Sequence, residues 1–99
     1  MRKKHYTKTV DERFVISEEN GGGQIKFEVW EYKGSVIKYS MVYVNHNIFA
    51  GDNGRVVGYD NTHDYHHKHY FGKIFPVTDF VSYEAMVERF RNDLKEFLS

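Results

Sequence analysis

The chain has 99 residues, with 14 basic against 14 acidic side chains, six histidines and no cysteine. That length holds one domain, residues 1–99, around a single modest core. Balanced charge excludes the global cationic field of a non-specific nucleic-acid binder, and the missing thiols exclude disulfides, thiolate metal sites and a cysteine nucleophile. No apolar stretch approaches the length of a membrane span or of a signal peptide's hydrophobic region, so a soluble, cytoplasmic protein without membrane contact is expected.

In chain order, Arg2, Lys3, Lys4 and Lys8 crowd the first eight positions with no acid among them. Residues 1–8 read as a basic, frayed and solvated arm. Arg13 to Ser17 is a short β-prone piece expected at a sheet edge. The following Asn20-Gly21-Gly22-Gly23 reads as a hairpin loop, because it lacks the Gly-Lys-Ser/Thr ending and the helix that a phosphate loop needs.

Gln24 to Tyr32 alternates in strand period, with Ile25, Phe27 and Val29 on one face and Lys26, Glu28 and Trp30 on the other. Lys33-Gly34 is a tight turn into a second strand, Val36 to Val44, with Ile37, Tyr39, Met41 and Tyr43 on one face. Gly51-Asp52-Asn53-Gly54 is the strongest turn signal, since Asn-Gly takes positive φ cheaply; it predicts that Ile48–Ala50 pairs with Arg55–Tyr59. Lys68 to Phe75 reads as one further strand, closed by Pro76.

Ser82 then suits an N-cap, and Tyr83, Met86, Val87, Phe90, Leu94, Phe97 and Leu98 recur at helical spacing, predicting an amphipathic helix over 82–98. The fold class expected is α+β: a twisted antiparallel sheet of about five hairpin-connected strands, covered by the C-terminal helix. Seventeen per cent aromatics fit the filling of such a sheet.

The chemistry concentrates in residues 59–71, which hold four of the six histidines, Asp60, Asp64 and three tyrosines. If residues 67 to 73 are extended, His67, His69, Phe71 and Lys73 share one face, the two imidazoles about 7 Å apart at Cα. Imidazole is the side chain that exchanges protons near neutral pH. In an acid–base reading, one ring takes the proton of an RNA 2′-hydroxyl and the other protonates the departing 5′-oxygen. Lys73 or Arg55 would then stabilise phosphoryl charge, and Tyr59, Tyr65 or Tyr70 would stack an unpaired base.

In a metal reading, His63, His67 and His69, joined by Asp60 or Asp64, supply an open zinc-type ligand set. The spacing matches no strong metal motif and adjacent strand histidines face opposite ways, which places metal second, with no cofactor expected. The bland alternative is a turn at Tyr59-Asp60-Asn61 followed by half-exposed strand histidines.

The run Arg55-Val56-Val57-Gly58-Tyr59-Asp60-Asn61-Thr62-His63, followed by His66-His67-Lys68-His69 and Gly72, resembles the TumE-like toxins of prokaryotic toxin–antitoxin modules. The looser match reaches the preceding sheet and the Phe80-Val81-Ser82-Tyr83-Glu84 helix start. The resemblance implies a growth-inhibiting protein silenced by a helix-turn-helix antitoxin encoded beside it. Tyr59, Asp60, Asn61, His63, His67 and His69 match the family's central pattern, whereas Lys73 and Arg55 come from geometry alone.

The function expected is a toxin that cleaves RNA without metal. Its catalytic candidates are His67, His69, His63 and Asp60, the last orienting an imidazole, and its substrate-binding candidates are Tyr59, Asn61, Arg55 and Lys73. A metal-dependent hydrolase and a non-enzymatic protein- or nucleic-acid-binding module are the alternatives. An open sheet edge is also expected to support a homodimer or an antitoxin-bound complex.

Overall fold

The structure, a computed structural model, describes residues 6–99. Six strands form one antiparallel sheet in chain order: β1 (Thr7–Val15), β2 (Gln24–Tyr32), β3 (Ser35–Val44), β4 (Arg55–Asp60), β5 (His67–Tyr70) and β6 (Lys73–Pro76). One helix, α1 (Tyr83–Leu94), packs across β3 and β4.

Alternation in the long strands decides which face is buried. Ile25, Phe27 and Val29 of β2 lie opposite Tyr43, Met41 and Tyr39 of β3, and this face meets Met86, Phe90 and Leu94 of α1. Tyr39, Met41, Tyr43, Val56, Val57 and Phe90 are almost wholly excluded from water. Phe90 meets Phe27 edge to face with centroids 5.6 Å apart, an arrangement worth about 1 kcal/mol beyond the area it buries. Ser82 caps α1, its hydroxyl accepting the Ala85 N–H at 3.1 Å.

Several expectations need correction. The predicted strand over Lys68–Phe75 is two strands, because Phe71 and Gly72 both take positive φ, 48° and 79°, and reverse the chain in a two-residue turn of the kind that suits right-twisted hairpins. This raises the count from about five to six. Lys33-Gly34, predicted as a turn, makes the same reversal at φ 49° and 79°.

Ile48–Ala50 does not pair with β4, whose partner is β3 instead. Positive φ does occur at Asp52, Asn53 and Gly54, but in a compact turn that ends a longer loop. Residue 45 starts that loop: the Asn45 amide donates to Gly21 O at 3.1 Å and its carboxamide oxygen accepts the Asn47 N–H at 2.9 Å.

Edge strand β1 is longer than expected. Thr7 and Lys8, assigned to a frayed arm, belong to it, and Lys8 pairs with Glu28 at 2.7 Å and Asp11 at 3.2 Å. Residues 1–5 of that arm lie outside the described residues. The helix stops at Leu94, four residues short of the predicted end, yet Phe97 and Leu98 still pack against the core. Chain-end and glycine loop are joined there by the Ser99 N–H bonding Asn20 O at 3.0 Å.

Candidate functional site

Asp60 ends β4 directly opposite His67, and Gly58 lies opposite His69. Alternation therefore sets Gly58, Asp60, His67 and His69 together on the sheet face away from α1, with Ile74 and Pro76 of β6 beyond them. Gly58 makes the close approach of β3 possible: a Cβ there would stand 2.8 Å from Met41 O and 3.0 Å from Val42 Cγ2.

Both histidines turn onto one carboxylate. His67 Nε2 lies 2.8 Å from Asp60 Oδ1, and His69 Nε2 lies 3.1 Å from Asp60 Oδ2. Asp60 Oδ1 also accepts the Thr62 N–H at 3.0 Å. Burial opposes charge on Asp60, but the bonds from His69 and Thr62 and the field of His67 outweigh it and hold the carboxyl down at about 2. Residues Asp60, His67 and His69 are 7%, 3% and 7% exposed, so these interactions act in a poorly hydrated setting where pairing counts most.

The remaining ring nitrogens also face protein atoms. His67 Nδ1 meets the Tyr65 carbonyl at 3.1 Å. His69 Nδ1 points at Asp52 Oδ2 from 3.7 Å, too far for a hydrogen bond, and both atoms are buried without a partner. Asp52 is held by Arg55, whose Nη2 donates to Oδ1 at 2.5 Å and whose Nε donates to the Asp52 carbonyl at 3.3 Å. In the sequence Asp52 stands only as a turn residue; the one signal of its role there is an acid three residues before Arg55.

A cleft of about 280 Å³ opens onto the group, lined by Arg55, Thr62, His63, Tyr65 and Ile74 besides the three polar residues. The Tyr65 ring packs on His67 with centroids 4.7 Å apart. His63 stands exposed on the rim in a tight turn at φ 65°. Arg55 also lines a neighbouring polar groove of about 530 Å³ on the same face, with Arg13, Lys26, Glu28, His46, Gln24 and Asn53.

Three of the substrate-binding candidates are placed elsewhere. Tyr59 lies under α1, 4% exposed, its hydroxyl donating to Asp93 Oδ2 at 2.5 Å and lifted well above its usual pKa by burial and then by that bond; it offers no surface for a base. Lys73 pairs with Tyr70 across the Phe71–Gly72 turn and so sits on the opposite face from His67 and His69. Asn61 is engaged with β3, accepting the Tyr39 N–H at 3.0 Å and donating to Ile37 O at 2.9 Å, which is a structural use.

Of the candidates, Asp60, His67 and His69 meet directly, and Arg55 and His63 stand on the cleft. His66 faces the other way, as its neighbour's orientation requires: its Nδ1 lies 2.8 Å from Tyr39 Oη and its ring stacks on Phe80 at 3.6 Å.

No helix among the described residues is long and apolar enough to cross a membrane. No curated protein and no solved structure matches the chain. The family model described as Toxin TumE matches residues 9–98, a span that includes all six strands, except the first two residues of β1, and the whole His–Asp–His group. With the match covering most of its length, the chain belongs to the TumE toxin family, as the toxin-like component of a toxin–antitoxin module with an antitoxin as its partner.

Proposed function

We propose that this toxin is an endoribonuclease whose reactive groups are Asp60, His67 and His69. One observation carries the reading: two imidazoles converge on a buried carboxylate at the floor of a cleft, and Arg55 on its wall continues into a groove bearing Arg13 and Lys26. That groove also holds Glu28, which Lys8 pairs at 2.7 Å, and its Arg13, Lys26 and Arg55 give a polyanion a local cationic path despite zero net charge.

Metal-free cleavage on these groups would run as proton transfer. The 2′-oxygen attacks phosphorus while one ring takes its proton; the P–O5′ bond breaks while the other ring protonates the 5′-oxygen. Products are a 2′,3′-cyclic phosphate and a 5′-hydroxyl. Arg55 would meet the charge gathered on the phosphoryl oxygens. His67 must first release a protein partner, since both its ring nitrogens are engaged, whereas His69 Nδ1 has none to release.

The antitoxin is proposed to be of helix-turn-helix type, and the site of action cytoplasmic RNA. Both sheet edges, β1 and β6, are open to pairing, which supports a homodimer or a strand contributed by the antitoxin.

Incubation of a mixed RNA pool with the wild type and with His67→Ala and His69→Ala, each checked by thermal melting, tests the reading. Cleavage by the wild type, lost in both folded variants, is the expected result. An RNA pool left intact by the wild type under every metal condition rejects endoribonuclease activity in favour of a binding module.

A further inference from the structure

The sequence ranks bare acid–base histidines above a metal. We propose instead that Asp60, His67 and His69 form a binding site for one divalent transition-metal ion of the zinc type, with Asp52 and the Tyr65 carbonyl fixing the two rings. This deepens the endoribonuclease reading by naming the cofactor of the same site, replaces the metal-free proton transfer because both rings would be held as ligands, and rests on that reading only for its link to RNA.

The donor set comes first. One ligand atom from each of Asp60, His67 and His69 lies within 4.8 Å of the others, and all three residues are buried. Two imidazoles and a carboxylate are the N and O donors that zinc accepts in open sites with three protein ligands, where the fourth position is left to water or substrate. The cleft bordered by Arg55 and His63 supplies that opening.

The partners of the ring nitrogens are the second argument. His67 faces an acceptor at each nitrogen, Asp60 at 2.8 Å and the Tyr65 carbonyl at 3.1 Å. A neutral ring donates to only one of two such acceptors, whereas a protonated ring donates to both. An ion between the Nε2 atoms and Asp60 would let a neutral ring serve both sides, Nε2 giving its lone pair to the ion and Nδ1–H donating to Tyr65 O.

The same placement accounts for the two orphaned atoms. Metal on His69 Nε2 puts the ring proton on Nδ1, aimed at Asp52 Oδ2, and a small ring rotation closes the 3.7 Å gap between these buried, unpartnered atoms. A ligating histidine that gives its other N–H to a carboxylate or a backbone carbonyl is the usual supporting arrangement around a metal. Arg55 in turn orients Asp52.

His63, exposed and in a tight turn, is outside the donor set, as are His66 and His46. The proposal thereby differs from adventitious capture by a histidine-rich surface, which would draw on His63 and His66 equally.

Zinc titration of the metal-stripped full chain by calorimetry, beside cobalt absorption spectra, tests it. One ion per chain is expected, with a tetrahedral cobalt spectrum and no magnesium binding. Affinity should fall at least 100-fold in His67→Gln and His69→Gln, about 10- to 100-fold in Asp52→Asn, and less than threefold in His63→Gln and His66→Gln. If the histidine variants fail to fold, Asp52→Asn against His63→Gln still decides, because neither removes a proposed ligand.

Absence of saturable zinc binding overturns the site, as does equal weakening by His63→Gln and Asp52→Asn. RNA cleavage that survives chelation in a chain holding no ion removes the metal and leaves the nuclease. Stoichiometric zinc without RNA cleavage upholds the metal site and removes the nuclease.

Discussion

Gly58 is where fold and site press hardest on each other. Replacing it with alanine puts a Cβ 2.8 Å from Met41 O, 3.0 Å from Val42 Cγ2 and 3.2 Å from Val42 Cβ. The first of these is backbone in a central ladder, which yields poorly, and overpacking of this kind costs about 1–3 kcal/mol. Against it stands the reduced entropy of the unfolded chain, worth roughly 0.4–1 kcal/mol in favour of alanine. The clash wins by up to about 2.6 kcal/mol, which in a domain of this size lowers the melting temperature by as much as roughly 10–20 °C. Since Gly58 faces His69 across the β4–β5 ladder, relief of the clash also moves His69 relative to Asp60, and zinc affinity should fall together with stability. Thermal melting of Gly58→Ala beside the wild type, followed by zinc titration below both transitions, measures both. A variant that melts at or above the wild-type temperature would show that the β3 backbone yields freely and would refute the argument.

Other expectations are as direct. Phe90→Ala, fully buried against Phe27, should lose about 3–5 kcal/mol in urea unfolding, whereas Phe14→Ala, 46% exposed, should lose far less; equal losses would displace the core from where it has been drawn. Asn61→Ala removes both bonds to β3 and should cost about 1–3 kcal/mol, with faster hydrogen exchange at the Tyr39 amide; unchanged stability with weakened RNA binding would return Asn61 to the substrate. Burial, and then the charge of Asp60, push the Tyr39 phenol up to about 12 from its ordinary 10.0. A raised folded value means that stability present below about pH 10 drains away toward pH 12, and Tyr39→Phe should flatten that alkaline decline in melting temperature; parallel curves for the two proteins would contradict it.

Long, regular segments were readable because one force decides them. Ile25, Phe27 and Val29 alternate against Met41 and Tyr43 for a single buried face, and Ser82 marks its helix by its own hydroxyl. The break between β5 and β6 was hidden because Phe71 is an unusual residue at φ 48° and looks like one more apolar strand position. That hidden turn also misplaced Lys73, since reversal pairs it with Tyr70 instead of continuing the His67–His69 face. Tyr59 follows the opposite parity from Asp60, and strand alternation alone was enough to remove it from the site.

Asp60, His67 and His69 could be singled out because i, i+2 spacing and the preceding turn bring them together whatever the rest of the chain does. Asp52 could not: its approach to His69 depends on the loop running from the end of β3 to Gly54, whose path is set by Asn45 bonds and three consecutive positive φ angles. The Tyr65 carbonyl was equally invisible, being backbone that any residue would carry.

The short connection from β4 to β5, residues 61–66, governs one way in which the toxin can be inactivated. β5 is only four residues long, and a slip of one position against β4 would exchange His67 and His69 for His66 and Lys68 on the cleft face. The reactive face is thus stored as a phase, kept by the connection over residues 61–66 that sets Asp60 opposite His67. A one-residue shift of that register would silence the site by inversion, leaving every residue of the His–Asp–His group in the chain.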